Sequence, residues 1–264
     1  MAASPFEPSP PDIAAALVRP DETLEPFGQG RLWVLQKQRG YRFSIDAVIL
    51  AGLTTLRPGE RVIDLGTGCG IIPLILACRY PEAVLVGVES QPALADLAAR
   101  NVRLNGFSPR ITIEARPMQE VQRCLPPASC QVVVSNPPYR PLWAGRLNPQ
   151  DEKACARHEL QGSLATVAAA ARYLLPEKGR LSVIYPAWRT VHLLTLLRSH
   201  DLEPKILRFI HSRSHTPARL VWVEARRAGG EELLIPPPLV VYQDQRQYTA
   251  EMAELLNLAP VKPS

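Results

Sequence analysis

The chain has 264 residues, of which 46% are hydrophobic, and a formal net charge of +5. A chain of this length can bury the core of one large α/β domain with extensions, or of two small domains, without disulfides or structural metals. The composition excludes a coiled coil, a collagen-like chain, a disulfide scaffold and a mostly disordered protein.

The five cysteines form no C-x-x-C pair, and the five histidines form no ligand pattern with them. This spacing argues against a disulfide framework and against a zinc site, so we expect reduced thiols and no metal. The first residues lack the basic region and apolar run of a signal peptide, and no apolar stretch approaches the ~20 residues that span a bilayer. The sequence therefore predicts a cytoplasmic protein with no membrane partner.

The first 22 residues are rich in Pro, Ser and Ala, which predicts a flexible tail. Residues 23–38 suggest two short strands or turns, and Ser44 is placed to cap the helix that follows. Strands and helices then alternate along the chain. We predict strands at 61–65, 83–89, 111–115, 131–136, 180–186, 205–211 and 219–227, and helices at 71–80, 92–106, 118–124, 160–175 and 188–199.

This alternation predicts a mainly parallel sheet with right-handed crossovers. Only seven residues join the last two strands, too few for a crossover helix, so these strands are expected to pair as an antiparallel hairpin. The predicted fold is therefore α/β and Rossmann-like, a seven-stranded sheet with a terminal antiparallel hairpin, which is the outline of a class I methyltransferase. The domain is expected to cover residues 23–245, with an N-terminal cap at 23–57 and a C-terminal extension at 246–264.

A glycine-rich loop, D-L-G-T-G-C-G, joins the first predicted strand of the alternating region to its helix. Gly66, Gly68 and Gly70 permit a tight turn and let a ligand lie against bare backbone. The third glycine comes one residue too early for the dinucleotide pattern G-x-G-x-x-G. The carboxylates of Asp64 and Glu89, at neighbouring strand ends, suit a ligand with a cationic amino-acid moiety and ribose hydroxyls. We therefore predict that these five residues bind S-adenosylmethionine.

The fourth predicted strand of this region ends in S-N-P-P-Y, at the sheet edge where α/β proteins place ligands. The prolines remove two N–H donors, so the carbonyl of Pro137 and the side-chain oxygen of Asn136 can accept both hydrogens of an exocyclic amine. Two such acceptors draw a delocalised nitrogen towards tetrahedral geometry as it meets the methyl group. Asn136, Pro137 and Tyr139 are the predicted catalytic residues, with Tyr139 stacking on the substrate and Asn136 also contacting the cofactor.

Together these motifs resemble those of the amino-methyltransferases, which act on adenine N6, guanine N2, cytosine N4 or a protein glutamine. Two further segments, G-Y-R-F-S-I-D-A-V-I-L-A at 40–51 and A-C-A-R-H-E at 154–159, are similar to blocks of the bacterial valine tRNA adenine(37)-N6 methyltransferase family. The resemblance covers about residues 23–245. It implies methylation of adenine N6 in the anticodon loop of a tRNA.

Two other acceptors share the tetrapeptide N-P-P-Y and stay open as alternatives. One is a glutamine of a release factor, methylated at N5, and the other is an amino group of rRNA. A third class, a non-catalytic RNA- or cofactor-binding module, is disfavoured because Asp64, Glu89, Asn136 and Tyr139 are all present.

The positive charge favours RNA, most simply tRNA, as the partner. Residues 1–132 hold 13 basic and 13 acidic side chains, whereas residues 133–227 hold 15 basic and 7 acidic ones. Such an excess marks either a polyanion-binding surface or a solvated basic face. The candidate RNA contacts are Arg157 and His158, which otherwise begin a surface helix, and Arg208, Arg213 and Arg219 on the terminal hairpin, which otherwise belong to a solvated face.

Several further roles are open in the sequence. Asp46 either holds the methionine part of the cofactor or only caps its helix. The adenine is expected to meet either backbone groups around residues 116–118 or the side chain of Gln119. Trp33 and Trp188 are expected in the core rather than as base-stacking platforms, and the oligomeric state is not indicated.

Overall fold

The chain folds around an eight-stranded sheet with helices on both faces. The structure, a computed structural model, describes residues 14, 16–40, 42–138, 163–243 and 247–261. Within these residues no helix has the length and apolar character needed to cross a bilayer.

The chain enters through an antiparallel hairpin of β1 (Glu22–Phe27) and β2 (Leu32–Lys37), which forms a separate two-stranded sheet. Helix α1 (Ile45–Leu53) follows, and its central residues are buried. Ser44 occupies the N-cap position of α1, but its side chain makes no capping hydrogen bond, so that part of the capping prediction is wrong.

The alternating region contains the predicted elements in the predicted order, followed by two that were not predicted, a two-residue strand and a last helix. It comprises β3 (Arg61–Leu65), α2 (Ile71–Arg79), β4 (Val84–Glu89), α3 (Pro92–Leu104), β5 (Ile111–Ala115), a 3-10 helix (Met118–Arg123), β6 (Val132–Ser135), α4 (Leu164–Leu174), β7 (Arg180–Pro186), a second 3-10 helix (Ala187–Arg189), α5 (Thr190–Ser199), β8 (Leu202–His211), β9 (Ala218–Arg227), β10 (Leu239–Val240) and α6 (Ala250–Leu256). The central strands are short apolar runs because helices cover both of their faces.

The strand order in the main sheet is β10-β8-β9-β7-β6-β3-β4-β5. β9 pairs antiparallel with both β7 and β8, and the other pairs are parallel, which confirms the mainly parallel sheet with its terminal hairpin. The prediction of seven strands missed β10, a two-residue strand at the edge. From β3 the chain builds outwards through β4 and β5, and then crosses to β6 on the other side. The crevice above β3 and β6 is therefore the topological switch point, where open α/β sheets bind ligands.

Packed chain extends beyond both predicted domain boundaries. Before residue 23, Leu17 joins the core and the buried side chain of Glu22 forms an ion pair with Arg100 of α3. After residue 245, Met252 and Leu258 are fully buried in the same core. The segments at both ends thus share one hydrophobic core with the main sheet.

Candidate functional site

The glycine-rich loop crosses the end of β4, to which it is hydrogen bonded. The N–H groups of Gly66 and Thr67 both donate to the carbonyl of Val88, at 2.9 and 3.0 Å. Gly66, Gly68 and Gly70 have φ values of +81°, +57° and +84°, in the left-handed region that favours glycine. Gly66, Gly68 and Gly70 therefore shape the tight turn that the sequence predicted, at the ends of β3 and β4.

Glu89 lies at the end of β4 and faces this loop. One carboxylate oxygen accepts the N–H of Gly68 at 2.9 Å, and the other accepts the N–H of Gln91 at 2.9 Å. These two bonds fix the plane of the carboxylate. Each oxygen has further lone-pair capacity, so Glu89 can still accept a pair of vicinal ribose hydroxyls.

Asp64 lies on β3 opposite Gly87, two residues below the level of Glu89, and in a different environment. Its carboxylate is buried, and neither oxygen meets hydrogen-bond geometry with any residue that the structure describes. Burial raises the pKa of Asp64 to about 7; the charge of Glu89 adds to the rise, and the neighbouring Thr67 hydroxyl opposes it only in part. A buried acid left without partners is costly unless a ligand supplies the missing donors or positive charge.

The predicted catalytic motif begins beside this pair of carboxylates. β6 pairs with β3 so that Val134 is opposite Asp64, and the Ser135 hydroxyl donates to the carbonyl of Leu65 at 2.8 Å. Asn136 follows at the strand end and is half-buried, and Pro137 is buried. The structure therefore brings Asn136 and Pro137 to the edge that holds the glycine loop. Tyr139, Arg157 and His158 lie outside the described residues.

Two asparagines that the sequence did not single out connect β2 to this loop, Asn101 in α3 and Asn105 directly after it. Asn101 accepts the N–H of Leu35 at 2.7 Å and donates to the carbonyls of Leu35 and Cys69 at 3.0 and 2.9 Å. One turn later, Asn105 makes the corresponding pair of bonds with Trp33, at 2.9 and 2.8 Å. The side-chain amides thus extend the edge of β2 as a neighbouring strand would, and Asn101 holds the glycine loop as well. The i, i+4 spacing of two asparagines at the end of a helix was the available signal.

Gly87 is a second residue that the sequence analysis missed. It is the register partner of Asp64 on β4. A Cβ atom at Gly87 would lie 2.9 Å from side-chain atoms of both Thr67 and Ile113. The missing side chain therefore lets the loop residue Thr67 pack directly against the sheet.

Comparison with known proteins agrees with this geometry. The family model described as "Methyltransferase small domain" matches residues 44–185, which is more than half of the chain. The chain belongs to the methyltransferase small domain family. Its cofactor is S-adenosylmethionine. The residues fit this molecule in their chemistry: the Asp64 carboxylate has no hydrogen-bond partner among the described residues, Glu89 has lone pairs to spare, and the glycine backbone is bare.

Named relatives resemble the chain over most of its length. A protein of Flavobacteriaceae bacterium (strain 3519-10), named tRNA1(Val) (adenine(37)-N6)-methyltransferase, is 26% identical over 80% of this chain and 96% of its own. A Yersinia pseudotuberculosis protein of the same name is 27% identical, over 86% and 88%. Among solved structures, a predicted O-methyltransferase from Agrobacterium tumefaciens superposes with a TM-score of 0.67 at 23% identity, over 82% of this chain and 98% of its own. This superposition shows the fold.

One predicted RNA contact of this methyltransferase is engaged elsewhere. Arg208 forms a bidentate ion pair with Glu251 of α6, at 2.6 and 2.9 Å, and also donates to the carbonyl of Pro237. Only 15% of its side chain is exposed. The structure therefore assigns Arg208 to the attachment of α6, and the contact of this side chain with RNA stays a prediction.

Arg213 and Arg219 are placed differently, at the two ends of the β8–β9 turn. Both are exposed. The turn is held by Thr216, whose hydroxyl donates to the carbonyl of Arg213 at 2.8 Å, and by a 2.6 Å bond between the His211 ring and the carbonyl of Thr216. Because β8 runs parallel to β7, this ordered turn lies at the carboxyl edge of the sheet, the edge that holds Asn136.

The two tryptophans that we expected in the core differ from each other. Trp33 is half-buried and packs on the core, as predicted. Trp188 is 69% exposed, so the prediction that it belongs to the core is wrong. It lies in the short 3-10 helix that follows β7, and periodicity could not reveal that break before α5.

Three further expectations concern Asp46, the adenine end of the cofactor and metal ions. Asp46 lies in the first turn of α1, which is compatible with either role considered for it. Met118, at the start of the 3-10 helix after β5, is buried, and its methyl group approaches Gly66. The described part of the chain contains no group of three or more His, Cys, Asp or Glu side chains that could hold a metal ion.

Proposed function

We propose that this methyltransferase transfers a methyl group to N6 of an adenine in the anticodon loop of a tRNA. The choice of acceptor rests on the relatives, which share the name tRNA1(Val) (adenine(37)-N6)-methyltransferase. They are 23–30% identical to this chain over 61–86% of its length. The basic composition of residues 133–227 supports an RNA substrate. Because tRNA is a cytoplasmic substrate, we also propose a cytoplasmic enzyme.

The cofactor is proposed to lie across the ends of β3 and β4. S-adenosylmethionine, when bound, supplies an electrophilic methyl group on a positively charged sulfur atom. Asp64 offers a carboxylate without partners in the described chain, which suits the cationic amino-acid part. Glu89, already oriented by two N–H groups, suits the ribose hydroxyls. The left-handed glycines keep side chains out of the space that the cofactor needs.

Asn136 and Pro137 are proposed to position the adenine amine. Their two oxygens accept its two hydrogens, which orients the nitrogen lone pair towards the methyl group. The Asn136 amide is neutral and is not a base, so the surplus proton leaves to solvent after transfer. The target adenine must leave its stack to reach this pocket, and a loop nucleotide does so at lower cost than a paired one.

Methyl transfer to tRNA from a strain that lacks the gene tests this proposal. We expect one N6-methyladenosine, mapped to the anticodon loop by mass spectrometry, to be absent from that tRNA and to be restored by the purified enzyme with S-adenosylmethionine. rRNA and release factors from the same strain serve as parallel acceptors. Methylation of rRNA, or of a release-factor glutamine, with none on tRNA would contradict the proposed acceptor.

A further inference from the structure

We propose that Trp188 is a base-stacking platform that binds a nucleotide next to the methylated adenine. This inference rests on the proposed RNA substrate. Trp188 is 69% exposed, more than any other large aromatic side chain among the described residues. An exposed indole with a fixed backbone is a common means of holding an unpaired base, because every base has a face that can stack.

The position of Trp188 relative to the reaction site follows from strand register. Ser135, the last residue of β6, is paired with Val183 on the neighbouring strand β7. β7 continues for three more residues, to Pro186. At about 3.3 Å per residue, the turn after Pro186 begins about 10 Å above the level of Ser135. Trp188, two residues beyond Pro186, therefore lies above the sheet edge, one strand away from Asn136, where RNA leaving the pocket would pass.

Local contacts hold this platform in place. The Thr190 hydroxyl donates to the carbonyl of Ala187 at 2.6 Å and closes the turn that carries the indole. The Arg189 guanidinium lies 5.5 Å from the Trp188 ring centroid and 5.4 Å from that of the buried Tyr185. Arg189 thus links the exposed ring to the sheet by cation–π contacts, and it places a positive charge beside the proposed stacking site.

The charge of the surrounding surface favours RNA over a protein partner. Two segments meet at this edge, residues 186–192 and 211–220, because Pro186 of β7 pairs with Leu220 of β9. Together they contain three arginines and three histidines and no acidic residue. A surface with this composition and one exposed tryptophan has the two features that bind single-stranded nucleic acid. Its positive charges attract the phosphate backbone, and its indole ring stacks on a base.

Binding of a synthetic anticodon stem-loop of a valine tRNA, with adenosine at position 37, tests the role of Trp188. Fluorescence anisotropy measures the affinity of the full chain at several salt concentrations. We expect Trp188→Ala to weaken binding about 5- to 100-fold and Trp188→Phe to restore most of it, because loss of one stacked base has an effect of this size. The slope of log K against log[salt] should not change in Trp188→Ala, whereas Arg213→Ala should reduce it by about one.

Val191→Ala is the matched control, because Val191 is aliphatic, 80% exposed and three residues away. It should bind the stem-loop like the wild type. Equal losses in both variants would overturn base stacking and indicate an apolar docking surface, and sedimentation of the wild type would then show whether a second copy occupies it. Unchanged binding by Trp188→Ala would also overturn the proposal.

Methyl transfer to the same stem-loop separates this inference from the proposed function. If the wild type binds the stem-loop but does not methylate it, the proposed acceptor is wrong. The ratio of the stem-loop affinities of Trp188→Ala and the wild type would still decide the role of Trp188. Absence of any binding by the wild type would overturn both.

Discussion

Asp64 and Glu89 are two carboxylates at neighbouring strand ends, and their surroundings give them different tasks. Glu89 accepts two backbone N–H groups and is therefore oriented before any ligand arrives. Asp64 is buried without such bonds in the described chain, and burial holds its pKa near 7. An uncompensated buried acid reduces the stability of the unliganded protein and increases the gain when a cation binds beside it.

Cofactor affinity should therefore depend on pH through Asp64. Because the neutral acid attracts a cation less, we expect the affinity for S-adenosylmethionine to rise with pH, by up to about tenfold per unit, and to level off above about pH 7. Asp64→Asn should bind weakly and show no such rise. Calorimetry between pH 5.5 and 8.5 measures both proteins, with Asp201→Asn, an exposed acid, as the control. A pH-independent wild type would contradict this role.

The same residue should affect stability in the opposite direction. Unfolded, Asp64 ionises near its ordinary pKa of 3.8, whereas the folded protein keeps it protonated up to about 7. The unliganded wild type should therefore lose stability as pH rises from about 4 to 7, and at pH 8 Asp64→Asn should be the more stable by up to about 4 kcal/mol. Denaturant unfolding at both pH values measures this difference.

Asn136→Ala should separate catalysis from cofactor binding. Because its side-chain oxygen is proposed to stabilise the reacting amine, we expect turnover to fall about 100-fold or more while cofactor affinity changes little. Single-turnover transfer and calorimetry measure the two quantities separately. A variant that loses its cofactor but keeps its turnover per bound cofactor would show that Asn136 serves only the cofactor.

At the scale of the elements, the sequence predicted the central strands of the sheet more accurately than the edge strands and the helix ends. β3, β5 and β7 have the predicted bounds, because short apolar runs between turn residues mark buried strands clearly. α4 begins at Leu164 rather than at 160, since the Ser163 side chain caps it by accepting the N–H of Thr166. β10 has only two residues, and so short a strand has no period to detect.

The site residues also differ in how well the sequence predicted them. The proximity of Asp64, Glu89 and the glycines was predictable, because the loop after a strand of a parallel sheet lies near the end of the neighbouring strand. Asn101 and Gly87 were not, since their roles come from contacts with segments distant in sequence. Arg208 shows the converse, because a strand arginine looks available for RNA until α6 is known to supply Glu251.

Gly87→Ala should displace the cofactor loop from β4. Its Cβ atom would lie 2.9 Å from Thr67 and from Ile113, and overpacking of this kind costs about 1–3 kcal/mol. We expect that loss of stability together with weaker cofactor binding, measured by denaturant unfolding and calorimetry. Gly230→Ala, which meets nothing within 4 Å, is the control and should change neither. Normal cofactor affinity in Gly87→Ala would show that the loop does not depend on this close approach.

Arg208 and Glu251 should couple in stability and not in RNA binding. A double-mutant cycle of Arg208→Ala and Glu251→Ala is expected to give a coupling energy of up to about 1 kcal/mol, because the Glu251 side chain is 47% exposed and solvent screens the pair. Stem-loop affinity should be unchanged in Arg208→Ala and reduced in Arg213→Ala. A salt slope reduced equally in both variants would return Arg208 to the RNA interface.

At the scale of the whole molecule, the chain ends brace the half of the sheet that carries the cofactor loop. The β1–β2 hairpin packs against α3 through the asparagine amides and through the buried pair of Glu22 and Arg100. α6 packs on α1, where Leu255 lies against Gly52, and Leu258, just after α6, packs against Gly28. Elements outside the central sheet thus fix α3, and Asn101 on α3 fixes the loop. Stability and cofactor binding should therefore be linked through the hairpin.

The buried pair Glu22–Arg100 provides the test of that link. The Arg100 hydrogen bonds, at 2.6 and 2.7 Å, together with a bond from Lys37, lower the pKa of Glu22 from 4.5 to about 2 despite its burial. The contribution of this carboxylate to stability is therefore complete above about pH 4.5 and is lost as pH falls towards 2.

Glu22→Gln should accordingly lower the free energy of unfolding by about 3 kcal/mol at pH 7, and the difference from wild type should shrink below pH 4.5 and vanish near pH 2. Glu25→Gln, in the same hairpin but half exposed with Arg42 as its partner, is the control and should cost less than about 1 kcal/mol. Because the hairpin supports α3, cofactor affinity should also fall in Glu22→Gln. A variant with the full stability loss and wild-type cofactor affinity would show that the hairpin stabilises the domain without bracing its loop.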